Sequence, residues 1–224
     1  MKYYAIIVAG GSGTRMQTEK PKQFLLLNNL PVLMHTIKAF HQNQYCPKII
    51  LVLAQDHLAL WQQLIIDHQF QIPHQIIEGG SERFYSVKNG LSLIDDKNAV
   101  VAIHDAVRPL TSQKTINLCF ETATSSGNAI ASVGAKDSIR RLLNGKSAAL
   151  DRKEIYLVQT PQTFQIAQLR KAYQQEYDAF FTDDASVVEK AGYQINLVAG
   201  DEFNFKITYK EDLILAETIL KTRS

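Results

Sequence analysis

The stretch "YYAIIVAGGSGTRMQTEKPKQF", residues 3–24, decides the fold. An apolar run ends in Gly10, Gly11 and Gly13, and Arg15, Lys20 and Lys22 follow. A glycine loop after a buried strand is where open α/β sheets hold phosphate: the backbone can approach closely, and successive N–H groups form an anion nest. Two familiar versions fail here. A P-loop needs lysine directly after its last glycine, but Thr14 and Arg15 follow Gly13. A dinucleotide turn needs a third glycine where Met16 stands, and a continuous helix that Pro21 interrupts. An open cationic loop remains, in which Arg15 can grip two oxygens and Lys22 acts as a point charge. Glu19 is its only acid, which favours a polyphosphate site over a solvated surface loop.

The pattern of that first strand repeats. Apolar runs at 3–9, 48–54, 74–78, 99–104, 128–133, 155–160 and 194–199 read as strands. Leu33, Ile37 and Phe40 mark one helix face, and Leu58, Trp61 and Ile65 another. Strands that are apolar throughout are buried on both faces, so the expected fold is a doubly wound, mostly parallel α/β sheet. No repeat or Pro/Gly-rich linker divides the chain, so residues 1–224 read as one domain. One segment breaks the rhythm: "KDSIRRLLNGKSAALDRK", residues 136–153, centres on Asn144-Gly145, the preferred pair for a two-residue hairpin turn. Its polar flanks suit a projecting β-arm, which is marginal alone and calls for a partner subunit; a mobile surface hairpin is the alternative.

Composition narrows the function. With 46% apolar residues the chain can build a substantial core, and 24 basic against 22 acidic residues leave too little charge for bulk attraction to nucleic acid. Cys46 and Cys119 lie far apart in apolar, helix-like contexts, so both read as buried free thiols rather than a disulfide or zinc site. The chain starts on a strand instead of a signal-type segment, and no apolar run reaches membrane-spanning length. A soluble, cytoplasmic protein with no membrane or nucleic-acid partner is expected.

Candidate residues lie at strand ends. Asp105 in "HDAVRP" follows a buried strand, where an acid can hold Mg²⁺ or simply make a turn before Pro109; His104 reads as packing. Ser81 reads as an N-cap after Gly79-Gly80, and Thr182 as the N-cap of "TDDAS", with two acids in the first turn.

Taken in order, "AGGSGTRM…KPKQF", "EGGSERFYSV", "HDAVRP", "TPQTF", "TDDAS" and "NFKIT…EDL" resemble the 2-C-methyl-D-erythritol 4-phosphate cytidylyltransferases of isoprenoid synthesis, over residues 3 to about 220. The resemblance implies transfer of CMP from CTP to a sugar-alcohol phosphate, with Mg²⁺, in a homodimer. It puts Ala9, Gly10, Gly11, Gly13, Arg15 and Lys22 around the triphosphate. Gly79, Gly80, Arg83 and Ser86 fall at the cytosine and ribose, and Asp105 at the metal and ribose. Arg108, Thr160, Thr182 and Lys206 fall at the acceptor, where the arm adds Ser138 and Arg152 from the neighbouring subunit. The attacking phosphate monoester has a second pKa of about 6 and is already largely ionised at neutral pH, so no general base is needed. That suits a sequence without a Ser-His-Asp triad or paired acid/base carboxylates. Val107 also occurs in the related ribitol-5-phosphate enzymes, so "DAVRP" leaves that acceptor open; a nucleotide-binding regulator without activity is the remaining alternative.

Overall fold

The computed structural model describes residues 1–10 and 20–223. Strand β1 (Lys2–Ala9) lies between β4 (Lys48–Leu53) and β6 (Ala99–Asp105), parallel to both. Outside β4 runs β5 (Gln75–Glu78), also parallel. On the other side, β10 (Tyr156–Gln165) inserts antiparallel between β6 and β7 (Asn128–Gly134), and β11 (Leu197–Ala199) joins β7 in parallel. The seven-stranded order β11-β7-β10-β6-β1-β4-β5 is the mostly parallel sheet expected.

Burial on both faces follows from alternation along each strand. From β1, Ala5, Ile7 and Ala9 point to one side, where α1 (Val32–His41), α2 (Leu58–Asp67) and α4 (Gln113–Ser126) cover them with Leu33, Ile37, Phe40, Trp61 and Phe120. Tyr4 and Ile6 point to the other side, under Phe84, Val87 and Leu169 of α3 (Arg83–Ser92) and α5 (Ile166–Ala172) and Val188 of α6 (Asp184–Lys190). Full burial of one such side chain contributes about 1.5–3 kcal/mol. The terminal helix α7 (Lys210–Arg223) packs Ala216 and Ile219 against Leu27 and Val32, beside the small hairpin of β2 (Leu26–Leu27) and β3 (Leu30–Pro31).

Several local expectations are corrected. The strand read as 155–160 continues past Pro161 to Gln165. Proline is accommodated because the ladder to β7 shifts register between Val158 and Gln162, where no amide N–H is required of it. Glu82, not Ser81, is the N-cap of α3, and no side chain caps that helix. At α6 the cap is Asp183 rather than Thr182: its carboxylate accepts from Ser186 N–H while Ser186 Oγ returns a bond to the Asp183 N–H, so only Asp184 remains as a first-turn acid. Cys119 is buried in α4, but Cys46 is exposed, in the turn after α1 with a positive φ of 43°.

Residues 139–150 form the expected ribbon, β8 (Ile139–Leu143) paired with β9 (Lys146–Leu150) outside the main sheet. Asn144 and Gly145 both take positive φ, 49° and 74°, as the tight turn demands.

Candidate active site

Parallel strands end on the same edge, and that edge collects most of the candidate residues: Ala9 at the end of β1 with Gly10 following, Gly79-Gly80 after β5 and Asp105 at the end of β6. Because β10 runs antiparallel, Thr160 comes back to this edge beside Asp105. The loop after β11 brings Lys206.

Asp105 sits in a cage of cations. Lys206 Nζ and Arg108 Nε each lie 3.2 Å from Asp105 Oδ2, and Arg83 Nε lies 3.8 Å from Oδ1. Burial opposes ionisation of Asp105, but Lys206, Arg83 and Arg108 outweigh it and hold the pKa well below the ordinary carboxylate range. The acid is therefore anionic at any working pH.

A ring of buried polar groups holds this cage. Thr160 Oγ1 accepts from the Asp105 N–H (3.1 Å) and lies 3.0 Å from His104 Nδ1, while His104 Nε2 lies 3.1 Å from the Arg108 carbonyl. Burial pushes the pKa of His104 down to about 4, so the ring is neutral. A carbonyl can only accept, so Nε2 carries the proton and Thr160 donates to Nδ1. Arg108 then donates to the Asn204 carbonyl (2.7 Å), and the Asn204 amide donates to the Thr160 carbonyl (2.7 Å). Gln159 closes the loop by donating to the Asp201 carbonyl at 2.9 Å. Lys206 stands two residues beyond Asn204, and Ile207 N–H to the Val107 carbonyl anchors the far side.

Ser86 Oγ is the point on which the glycine loops converge. It accepts from Gly80 N–H at 3.1 Å, and Cβ atoms built on Gly10 and Gly79 would come within 3.4 Å and 3.0 Å of it. At Gly80 a Cβ would meet that of Tyr85 at 2.3 Å, so any side chain there forces the loop off the helix. Lys22 opens a short 3-10 turn whose next residue, buried Gln23, donates to the Ala9 carbonyl at 3.1 Å. Gly11, Gly13 and Arg15 lie outside the described residues.

Ser138 and Arg152 meet elsewhere, in a groove of about 370 Å³ at the base of the arm, where Arg152 Nη1 donates to the Lys136 carbonyl at 2.5 Å. Among the described residues no hydrogen bond or ion pair joins either to Asp105, Arg108 or Lys206. Thr182 is exposed just before the α6 cap. Sequence reasoning missed Gln23, Gln159, Gln162, Asp184 and Asn204, all buried polar residues. Their only signal is position, immediately beside the motif residues they hold.

An open, mostly parallel sheet that gathers glycine loops, an acid and cations at the carboxyl edge of its strands defines an α/β protein of the nucleotide-binding class. Residues 3–222 match the family model described as 2-C-methyl-D-erythritol 4-phosphate cytidylyltransferase. The relative of that name from Bacteroides thetaiotaomicron is 43% identical over 98% of this chain and 100% of its own. The one from Bacteroides fragilis is 46% identical over 96% of this chain and 98% of its own. The crystal structure of 4-diphosphocytidyl-2C-methyl-D-erythritol synthase from Anaerococcus prevotii superposes with a TM-score of 0.83 at 25% identity, covering 98% of this chain and 96% of that one. The chain belongs to the 2-C-methyl-D-erythritol 4-phosphate cytidylyltransferase family. No helix among the described residues is long and apolar enough to cross a membrane.

Proposed function

We infer that this chain transfers the cytidylyl group of CTP to methylerythritol 4-phosphate, forming 4-diphosphocytidyl-methylerythritol for isoprenoid synthesis. An acceptor phosphate oxygen bonds to the α-phosphorus, the bond to the β-phosphate oxygen breaks, and pyrophosphate leaves. The observation that carries this reading is the cluster of Lys206, Arg108 and Arg83 around ionised Asp105, beside the Gly79-Gly80-Ser86 cradle. Two anions must meet, and fixed cations lower that barrier without reorganising during reaction.

In this reading Arg15 and Lys22 take the triphosphate and the departing pyrophosphate, with Ala9, Gly10, Gly11 and Gly13 lending backbone. Gly79, Gly80, Arg83 and Ser86 form the cytidine side. Lys206 and Arg108 orient the acceptor phosphate, with Thr160 holding Asp105 and Thr182 at the rim. Asp105 is the residue to hold Mg²⁺. Mg²⁺ can take a single carboxylate, with substrate phosphates and water as its remaining ligands. Lys206 and Arg108 both approach Oδ2, while Arg83 approaches Oδ1 at 3.8 Å. Bound there, Mg²⁺ neutralises charge on the triphosphate. The arm supplies Ser138 and Arg152 to a second copy's acceptor site.

Pyrophosphate release tests the reading, with CTP and Mg²⁺ and three acceptors compared: methylerythritol 4-phosphate, ribitol 5-phosphate and glucose 1-phosphate. Release with the first alone is expected. Release with ribitol 5-phosphate alone keeps the mechanism and overturns the acceptor assignment, while CTP binding without release from any acceptor points to a regulator.

A further inference from the structure

Arg83 has a partner besides the cytidine assigned to it. Its two terminal nitrogens each donate to one oxygen of Asp184, both at 2.7 Å, and Tyr173 Oη donates to the same carboxylate at 2.6 Å. Asp184 has no exposed side-chain surface, so it cannot touch a substrate. Such a fork fixes the plane of the guanidinium as well as its charge. Burial opposes the Arg83 charge, but Asp184 more than offsets it.

The two partners are the first residues of α3 and α6, and each is rigidly joined to one side of the site. One turn along α3, Ser86 holds the Gly80 N–H. Next to Asp184, the Asp183 cap accepts from Gln162 Nε2 at 2.9 Å, and Gln162 Oε1 accepts from the Ala185 N–H at 2.9 Å. The Phe84 ring stacks on both Tyr173 and Phe181, with centroids 4.8 Å and 5.6 Å away. Arg83 also faces Asp105 at 3.8 Å. A shift on either side is therefore passed to the other.

We propose that Asp184 is a positioning residue that acts through Arg83, locking the glycine loop of the nucleotide side against the Thr182–Asp183 segment of the acceptor side. This inference rests on the site reading above. If the pair served stability alone, a well-packed apolar replacement would do as well; the fork adds a fixed geometry between two loops.

The test is a double-mutant cycle on CTP binding, measured by calorimetry with Mg²⁺ and no acceptor, on Asp184→Asn, Arg83→Lys and the pair. Asp184→Asn should weaken CTP binding about tenfold although it contacts no nucleotide, and the pair should be little worse than either single change, as expected for one shared interaction. KM for methylerythritol 4-phosphate should rise in the same variants. A folded Asp184→Asn protein with wild-type CTP affinity, even if it melts at a lower temperature, overturns the proposal. Should Asp184→Asn not fold, Tyr173→Phe removes one hydrogen bond from the same carboxylate; it should weaken CTP severalfold, and unchanged affinity there is equally decisive. Wild-type turnover keeps the two readings apart. Its absence strikes the site assignment, whereas its presence with unaltered variants strikes only the coupling.

Discussion

At the scale of single residues, the site is a problem in keeping like charges apart until they are needed. Lys206, Arg108 and Arg83 lie close together because Asp105 stands among them and stays ionised. Lys206 is the most exposed of the three, with 43% of its side chain in solvent, so it is the one best placed to exchange Asp105 for an incoming phosphate. Lys206→Ala should lower kcat/KM for the acceptor about a hundredfold, the usual cost of losing a preorganised donor. CTP affinity, measured separately, should change far less. Asn204→Ala should act in the same direction but more weakly, because the buried Asn204 amide ties its loop to the Thr160 carbonyl, while the backbone carbonyl that Arg108 grips survives the change. Equal losses of CTP and acceptor binding in Lys206→Ala would refute the division of labour. Asp105 stood out in the sequence because an acid at a strand end invites a chemical reading, whereas Lys206 stood out only through the resemblance. Asn204, Gln159 and Asp184 did not, since an isolated polar residue carries no mark of burial, and only the folded chain supplies its partners.

The secondary elements were legible wherever periodicity was strong. All seven sheet strands and the helices built on Leu33 and Leu58 fall where apolar spacing put them, because burial of one face dictates that spacing. Ends were less readable. The run read as 155–160 extends to Gln165, and the register shift opposite β7 lets β10 pass through Pro161. Caps failed similarly: Thr182 and Asp183 are both good N-caps, and the Ser186 hydroxyl three residues on decides for Asp183. The thiols show the same limit. Cys119 lies on the inner face of α4, where burial pushes its pKa up to about 12, whereas Cys46 occupies an exposed turn just past α1. The thiolate is the reactive form, so at pH 8–9 the Cys119 thiol should stay protonated and inert. An aromatic disulfide reagent should then titrate one thiol in the native protein and two in denaturant. Two fast-reacting thiols in the native state would mean that α4 does not pack as described.

Across the whole molecule, the sheet edge assembles the glycine loops and the cations around Asp105, but not the arm residues. Ser138 and Arg152 open onto their own groove, and several large apolar side chains lie exposed on the arm and on the strand that follows it. Leu142 and Leu143 near the arm tip are 71% and 61% exposed, and Tyr156, Leu157 and Val158 at the start of β10 are all exposed as well. A two-stranded ribbon of this kind gains little from its own packing. In the proposed dimer, docking the arm on a second copy would cover these side chains and offer Arg152 to the neighbour's acceptor site. The geometry has a consequence that a site complete within one chain does not share. Arg15→Ala and Arg152→Ala homodimers should each be nearly inactive. After subunit exchange a mixed dimer pairs the intact Arg15 of one chain with the intact Arg152 of the other, rebuilding one of its two sites. With equal amounts and random exchange, a two-fold dimer should recover about a quarter of wild-type activity. A site built within one chain recovers none, because each chain then carries its own defect. Native mass spectrometry would verify the exchange, and mixed dimers without activity would rule out a role for the arm in the neighbour's chemistry, leaving it at most a clasp.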